Sequence, residues 1–209
     1  TLSLHDALPI SGLISKSIRN NDQIWVHVFT CGGPASNVSG EIRSYEYKDV
    51  MEFMGVQKYT YSGTGLDGRL DTVPNCELTK MIDNMISEYK QDEVYCSAMS
   101  EHSDHQSLCR AFLGAARLKS GHQTKLFAFG TYMFSDQLYT TVDGGKIYQP
   151  LTEEDYIKKL EAFRLYKSQF KPSPSPLGED GIRVMSEYHG MMCGHKYAEL
   201  YYQLRYIRS

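Results

Sequence analysis

The segment His102-Ser103-Asp104-His105 sets two imidazoles three residues apart with a carboxylate between them. Such a set can supply a metal ligand, a proton carrier and a group that orients a histidine ring. It follows a strand-like run, Glu93-Val94-Tyr95-Cys96-Ser97, and leads into a helical pattern, so it sits at a strand-to-helix corner. Open α/β sheets hold their ligands at the carboxyl ends of strands, which is where this corner falls. Taken alone, the pattern also fits a solvent-facing pair at the start of a helix, with Asp104 as its N-cap.

The elements around it alternate. A helical stretch at residues 12–20 precedes a β-branched and aromatic strand at 23–30, which ends in Cys31-Gly32-Gly33-Pro34. A helix is expected over 41–54, with Ile42, Tyr45 and Phe53 among its apolar positions and Gly55 just past its end. A short strand at 57–61 leads into Gly63-Thr64-Gly65-Leu66-Asp67-Gly68. This spells the dinucleotide pattern, but no helix opens behind it, so it reads as a loop. Leu78, Met81, Ile82, Met85, Ile86 and Tyr89 keep helical spacing without a miss. After the 93–97 strand come a helix to about 119, a strand at 125–129 and a tyrosine-rich irregular stretch at 131–150 with Tyr132, Tyr139 and Tyr148. Thr152-Glu153-Glu154-Asp155 has capping spacing for a helix to about 170. A prolyl loop at 171–176 follows, and a final helix is expected from about 184 to 205, with possible breaks at Gly190 and Gly194. Strands alternating with helices predict an α/β fold with a mainly parallel sheet. His27 reads as a core or edge histidine, and His122, His189 and His195 have no partner pattern.

Composition narrows the function classes. The chain has 209 residues, 41% hydrophobic and 22% charged, with net charge −3, enough for one full core and without the basic surface that nucleic acid requires. No apolar run reaches the roughly 20 residues that span a bilayer. The cysteines at 31, 76, 96, 109 and 193 are scattered and odd in number, which points to reduced thiols and a cytoplasmic location rather than a disulfide frame. Residues 1–10 lack any helical or strand period and match one translated frame of a common sequencing-adapter oligonucleotide. Residues 1–11 are therefore expected to be an artefactual segment, with one domain over 12–209, and His5-Asp6 is not recruited as ligands.

The order and spacing of several pieces resemble the LmbE/PIG-L family. They are the 25–33 strand, Arg43-x-x-Glu46, Met54-Gly55-Val56, Leu66-Asp67-Gly68-Arg69-Leu70-Asp71, the 93–97 strand, His102-x-Asp104-His105, the stretch 158–169, and Gly194-His195-Lys196-Tyr197-Ala198-Glu199. The resemblance spans nearly all of residues 12–208. It implies a Rossmann-like three-layer α/β/α fold and a zinc-dependent deacetylase acting on N-acetylated amino sugars or glycoconjugates. It also implies that His105 is a Zn2+ ligand, that His102 faces the reacting carbonyl as a protonated imidazole, that Asp104 orients a histidine, and that Arg43 contacts substrate. The family pattern Ala-His-Pro-Asp-Asp-Glu, which brings two further zinc ligands and the general base, does not occur in this sequence. The resemblance therefore implies a missing first strand, central in the sheet, whose neighbours should present unmatched backbone groups and apolar surface. It also implies an inactive 209-residue chain. Two rival readings remain: a non-catalytic sugar-binding relative, and a nucleotide-binding Rossmann-type transferase.

Overall fold

The computed structural model describes residues 8–30, 38–63, 65–117, 124–130 and 145–206. A single 3-10 turn (Leu8–Ile10) leads into α1 (Ser11–Arg19), followed by β1 (Trp25–Val28), α2 (Gly40–Met54) and β2 (Lys58–Tyr61). Then come α3 (Asn75–Tyr89), β3 (Glu93–Ser97), α4 (Ser103–Ala115), β4 (Lys125–Phe129), β5 (Lys146–Leu151), α5 (Glu153–Leu165), α6 (Glu179–Cys193) and β6 (Tyr197–Arg205).

The strands form the middle of three layers. One apolar cluster joins Ile14 of α1, Val50 and Met51 of α2, and Leu160 and Phe163 of α5 to Val26, Val28 and Phe129 on one sheet face. On the other face Ile82 and Ile86 of α3 and Leu108 and Phe112 of α4 meet Phe29, Val94, Cys96 and Ala128. This is the α/β/α arrangement expected, because strands buried on both faces need helices on both sides. The sheet is mixed: β1 runs parallel to β2 and β3 parallel to β4, while β6 lies antiparallel between β4 and β5.

Among the described residues, the sheet comes in two pieces, β1-β2 and β3-β4-β6-β5. Between β1 and β3 lies a cavity of about 820 Å³, with Leu13 and Ile14 on one side and Ile82 and Ile86 on the other.

Three local readings change. The last helix stops at Gly194, which takes the left-handed φ of 76°, and Tyr197–Arg205 is a strand. Its period-2 alternation lets Tyr201 join one core while Tyr202 joins the other. In α2 the buried stripe is Tyr47, Val50, Met51 and Met54, whereas Ile42, Tyr45 and Phe53 are exposed. Part of the tyrosine-rich stretch is regular: Tyr148 lies in β5, while Tyr132 and Tyr139 fall outside the described residues, as do His122 and Cys31.

Residues 8–11, which the adapter reading set aside, have defined places. Leu8, Pro9 and Ile10 are buried, and the Ser11 hydroxyl donates to the Leu8 carbonyl. The start of α1 is capped from across the fold, because both carboxylate oxygens of buried Glu199 accept N–H bonds, from Gly12 at 2.9 Å and Leu13 at 2.8 Å. A Cβ at Gly12 would lie 2.5 Å from Leu151 Cδ1 and 2.7 Å from Glu199 Oε1, so this approach needs glycine. Lys159 Nζ, with no exposed surface, donates to Glu199 and to the Pro9 carbonyl. The other four cysteines are free thiols, with Cys96 and Cys109 buried. No helix among the described residues is long and apolar enough to cross a membrane.

Candidate active site

The carboxyl ends of β1 and β3 converge through the loop that follows β2. Thr30, just past β1, donates to Asp67 Oδ1 at 3.3 Å, and Arg43 of α2 reaches Asp67 Oδ2 at 3.1 Å. Arg43 and Asp67 are both buried, so the guanidinium is not the solvated helix charge its sequence position allows. Desolvated partners of this kind hold each other strongly, since removing one leaves the other charge uncompensated.

Asp104, 1% exposed, ties that loop to α4. Its Oδ2 accepts the Gly68 N–H at 2.7 Å and its Oδ1 accepts the Leu70 N–H at 2.8 Å. Gly68 sits at φ 71°, where a side chain would be strained, and this turns its N–H toward the carboxylate. What Asp104 orients in the structure is the loop at 66–70, and through Asp67 the side chain of Arg43. The helix N-cap is His102 rather than Asp104: His102 Nδ1 accepts the Asp104 N–H at 3.2 Å.

The two histidines meet. Their rings stack at a centroid distance of 4.9 Å and an interplanar angle of 30°. His105 is fully buried, with Nδ1 hydrogen-bonded to the Ser100 hydroxyl at 2.6 Å. That hydroxyl also accepts the His102 N–H at 3.2 Å, and Gln106 Nε2 donates to the Ser100 carbonyl at 3.0 Å. Ser100 therefore fixes the turn that carries both rings. With Nδ1 engaged, Nε2 is the His105 nitrogen suited to a metal.

Arg43, His102, Asp104 and His105 are thus brought to one end of the sheet by α2, the 66–70 loop and the start of α4. The residues that sequence reasoning passed over are Asp67 and Ser100. Asp67 carried a signal, an Asp-Gly pair at a turn. Ser100 carried none, because its role exists only once β3 and α4 are folded against each other. Among the described residues, no group of three His, Cys, Asp or Glu side chains is arranged to hold a metal ion.

The family model described as PIG-L, GlcNAc-PI de-N-acetylase, matches residues 6–116. No curated protein matches the chain in sequence. Among solved structures, the A40926 pseudoaglycone deacetylase Dbv21 superimposes with a TM-score of 0.78 at 18% identity, covering 100% of this chain and 97% of that one. The N,N'-diacetylchitobiose deacetylase of Pyrococcus horikoshii gives 0.70 at 18% identity over 97% of this chain and 81% of its own. GalB, the 4-carboxy-2-hydroxymuconate hydratase of Pseudomonas putida KT2440, gives 0.76 at 14% identity over 100% and 95%. At such identities the likeness is one of fold, and the same fold carries both amide hydrolysis and hydration.

Proposed function

The chain belongs to the PIG-L family of GlcNAc-PI de-N-acetylases, and from that premise we propose that its site serves hydrolysis of the N-acetyl group of an amino sugar or glycoconjugate. The observation that carries this reading is the stacked His102–His105 pair at the carboxyl end of β3, with His105 buried and held through Nδ1. His105 Nε2 is proposed as a Zn2+ ligand. A catalytic zinc needs three protein ligands and an open position for water, and the described residues supply one imidazole at this point. They do not by themselves fit the metal, so no step is derived through it.

His102 is proposed as the proton carrier. It is half-buried at the rim, beside His105, and with Nδ1 accepting the Asp104 N–H its ring proton sits on Nε2, from which it can donate to the oxyanion of an attacked acetamide. Asp104 acts by holding the 66–70 loop, and Arg43, pinned by Asp67, is proposed to contact substrate from that loop's side. The full set requires the residues of a His-Pro-Asp-Asp-Glu segment, so the 209-residue chain is proposed to be inactive by itself. The protein is proposed to act in the cytoplasm on a small-molecule N-acetylated sugar or glycoconjugate.

The test is acetate release from N-acetylglucosamine glycosides in the presence of zinc. A chain carrying a strand and His-Pro-Asp-Asp-Glu grafted ahead of Gly12 is expected to turn over, and the 209-residue chain is not. Equal activity from both, or from neither, contradicts the assignment.

A further inference from the structure

β2 ends its sheet, and among the described residues β1 is its ladder partner. The Ser62 N–H donates to the Val28 carbonyl, so Ser62, and Thr60 two residues earlier, turn their backbone groups toward β1. Tyr59 and Tyr61, out of phase with them, turn theirs outward. Edge strands are commonly guarded by proline or by an outward lysine. β2 holds no proline, and its one lysine is drawn back: Lys58 Nζ lies 3.7 Å from the centroid of the Tyr89 ring and 5.2 Å from that of Trp25.

The side chains along this edge come from two elements. Tyr59 rests on α2, with its ring 5.8 Å from that of Tyr47 and its hydroxyl donating to Glu52 Oε1 at 3.1 Å. Tyr61 shares that face by the strand period and is exposed. The bond from Tyr59 places Glu52 on the side of α2 that overlooks the edge, and exposed Lys48, one turn earlier, lies 3.7 Å from the same carboxylate.

We propose that this edge is a dimer interface whose occupant is β2 of a second copy of the chain, paired antiparallel about a two-fold axis through Thr60. Tyr59 then meets the partner's Tyr61 and exchanges both backbone bonds with it, and Tyr61 meets the partner's Tyr59 in the same way. Each meeting also brings two tyrosine rings together on the α2 face. The helix charges agree with this axis. Thr60 lies about 7 Å along β2 from Lys58, a rise of about four helical residues, and α2 returns antiparallel to β2 from Met54. Thr60 is therefore level with about Val50, and a two-fold there sets Lys48 opposite the partner's Glu52 and Glu52 opposite the partner's Lys48. A foreign strand would satisfy the backbone but leave these helix charges without counterparts. The inference does not depend on the deacetylase reading, since association and acetate release are measured separately.

Sedimentation velocity of the 209-residue chain from about 1 to about 100 μM, which brackets a micromolar Kd, is expected to show a monomer passing to a dimer. Over the same range the Tyr59 and Tyr61 amides should exchange about tenfold more slowly in the dimer. Tyr61→Pro removes an outward N–H and leaves the β1 ladder intact, so it is expected to stay monomeric with unchanged circular dichroism. Lys48→Glu and Glu52→Lys, each alone, set like charges across the axis and should weaken the dimer by about tenfold, while a mixture of the two variants should restore it. A single monomer mass throughout, a dimer that survives Tyr61→Pro, or charge variants that fail to complement each other overturns the proposal. So does a monomer whose Tyr59 and Tyr61 amides are protected by an added hexapeptide of alternating threonine and valine, because the edge would then belong to a foreign strand.

Discussion

Replacing Asp104 by asparagine separates two roles for this carboxylate. The side chain keeps its shape and loses its charge, and one of its two oxygens becomes an NH2 group. Both oxygens now accept buried backbone N–H bonds, at 2.7 and 2.8 Å. The variant leaves either Gly68 N–H or Leu70 N–H facing a donor and turns the surviving bond into a neutral one. An unsatisfied buried donor costs about 1–3 kcal/mol, and a charge-assisted bond exceeds a neutral one by about 1 kcal/mol, so the loss is about 3 kcal/mol. For a chain of this length each kcal/mol lowers the melting temperature by about 2–4 °C, which predicts a fall of about 10 °C for Asp104→Asn. Thermal unfolding followed by circular dichroism measures it. A midpoint within about 2 °C of the parent would refute the loop-anchoring role and return Asp104 to partnership with an imidazole.

Lys159→Met tests the cap on α1. It leaves Glu199 buried with its charge uncompensated, at a cost of about 3–5 kcal/mol, and a second change to Glu199→Gln should recover part of the loss. Thermal melts of the single and double variants check this; additive losses would contradict the coupling. Acid should weaken the fold through His27. Burial pushes its imidazole down from 6.5 to about 4, so between those values the unfolded chain takes up a proton that the folded chain does not. Its contribution is full above about pH 6.5 and declines by about 3 kcal/mol as pH falls toward 4. Urea midpoints at pH 7.5 and 4.5 should differ less in His27→Asn than in the parent.

How far the sequence revealed this protein depends on how local each signal was. The stripe Leu78, Ile82, Ile86 needed no partner to be read and is buried as its spacing implies. The capping box of Thr152 and Asp155 is also local, and both of its reciprocal bonds form. The expected helix over β6 gives way to a strand because Tyr-Ala-Glu-Leu-Tyr-Tyr suits either period, and what decides it is pairing with β4 on one edge and β5 on the other. In α2 the apolar positions do not by themselves select the buried face. Its exposed side carries Ile42, Tyr45 and Phe53, and only the position of β1 selects Tyr47 and Val50 for the core. At the site, the paired histidines stood out by type and spacing. Ser100 and the backbone clasp of Asp104 did not, since each joins segments brought together by folding. The Lys159–Glu199 pair, 40 residues apart in sequence, was hidden likewise.

The central claim is that His102 and His105 form the downstream half of a de-N-acetylase site. It is tested most directly by acetate release from the grafted chain bearing His-Pro-Asp-Asp-Glu ahead of Gly12, with and without His105→Ala. Zinc-dependent release that falls by at least about a hundredfold in His105→Ala is the predicted result, in line with the loss of a metal ligand. Release that is unchanged by removing His105 would contradict the account.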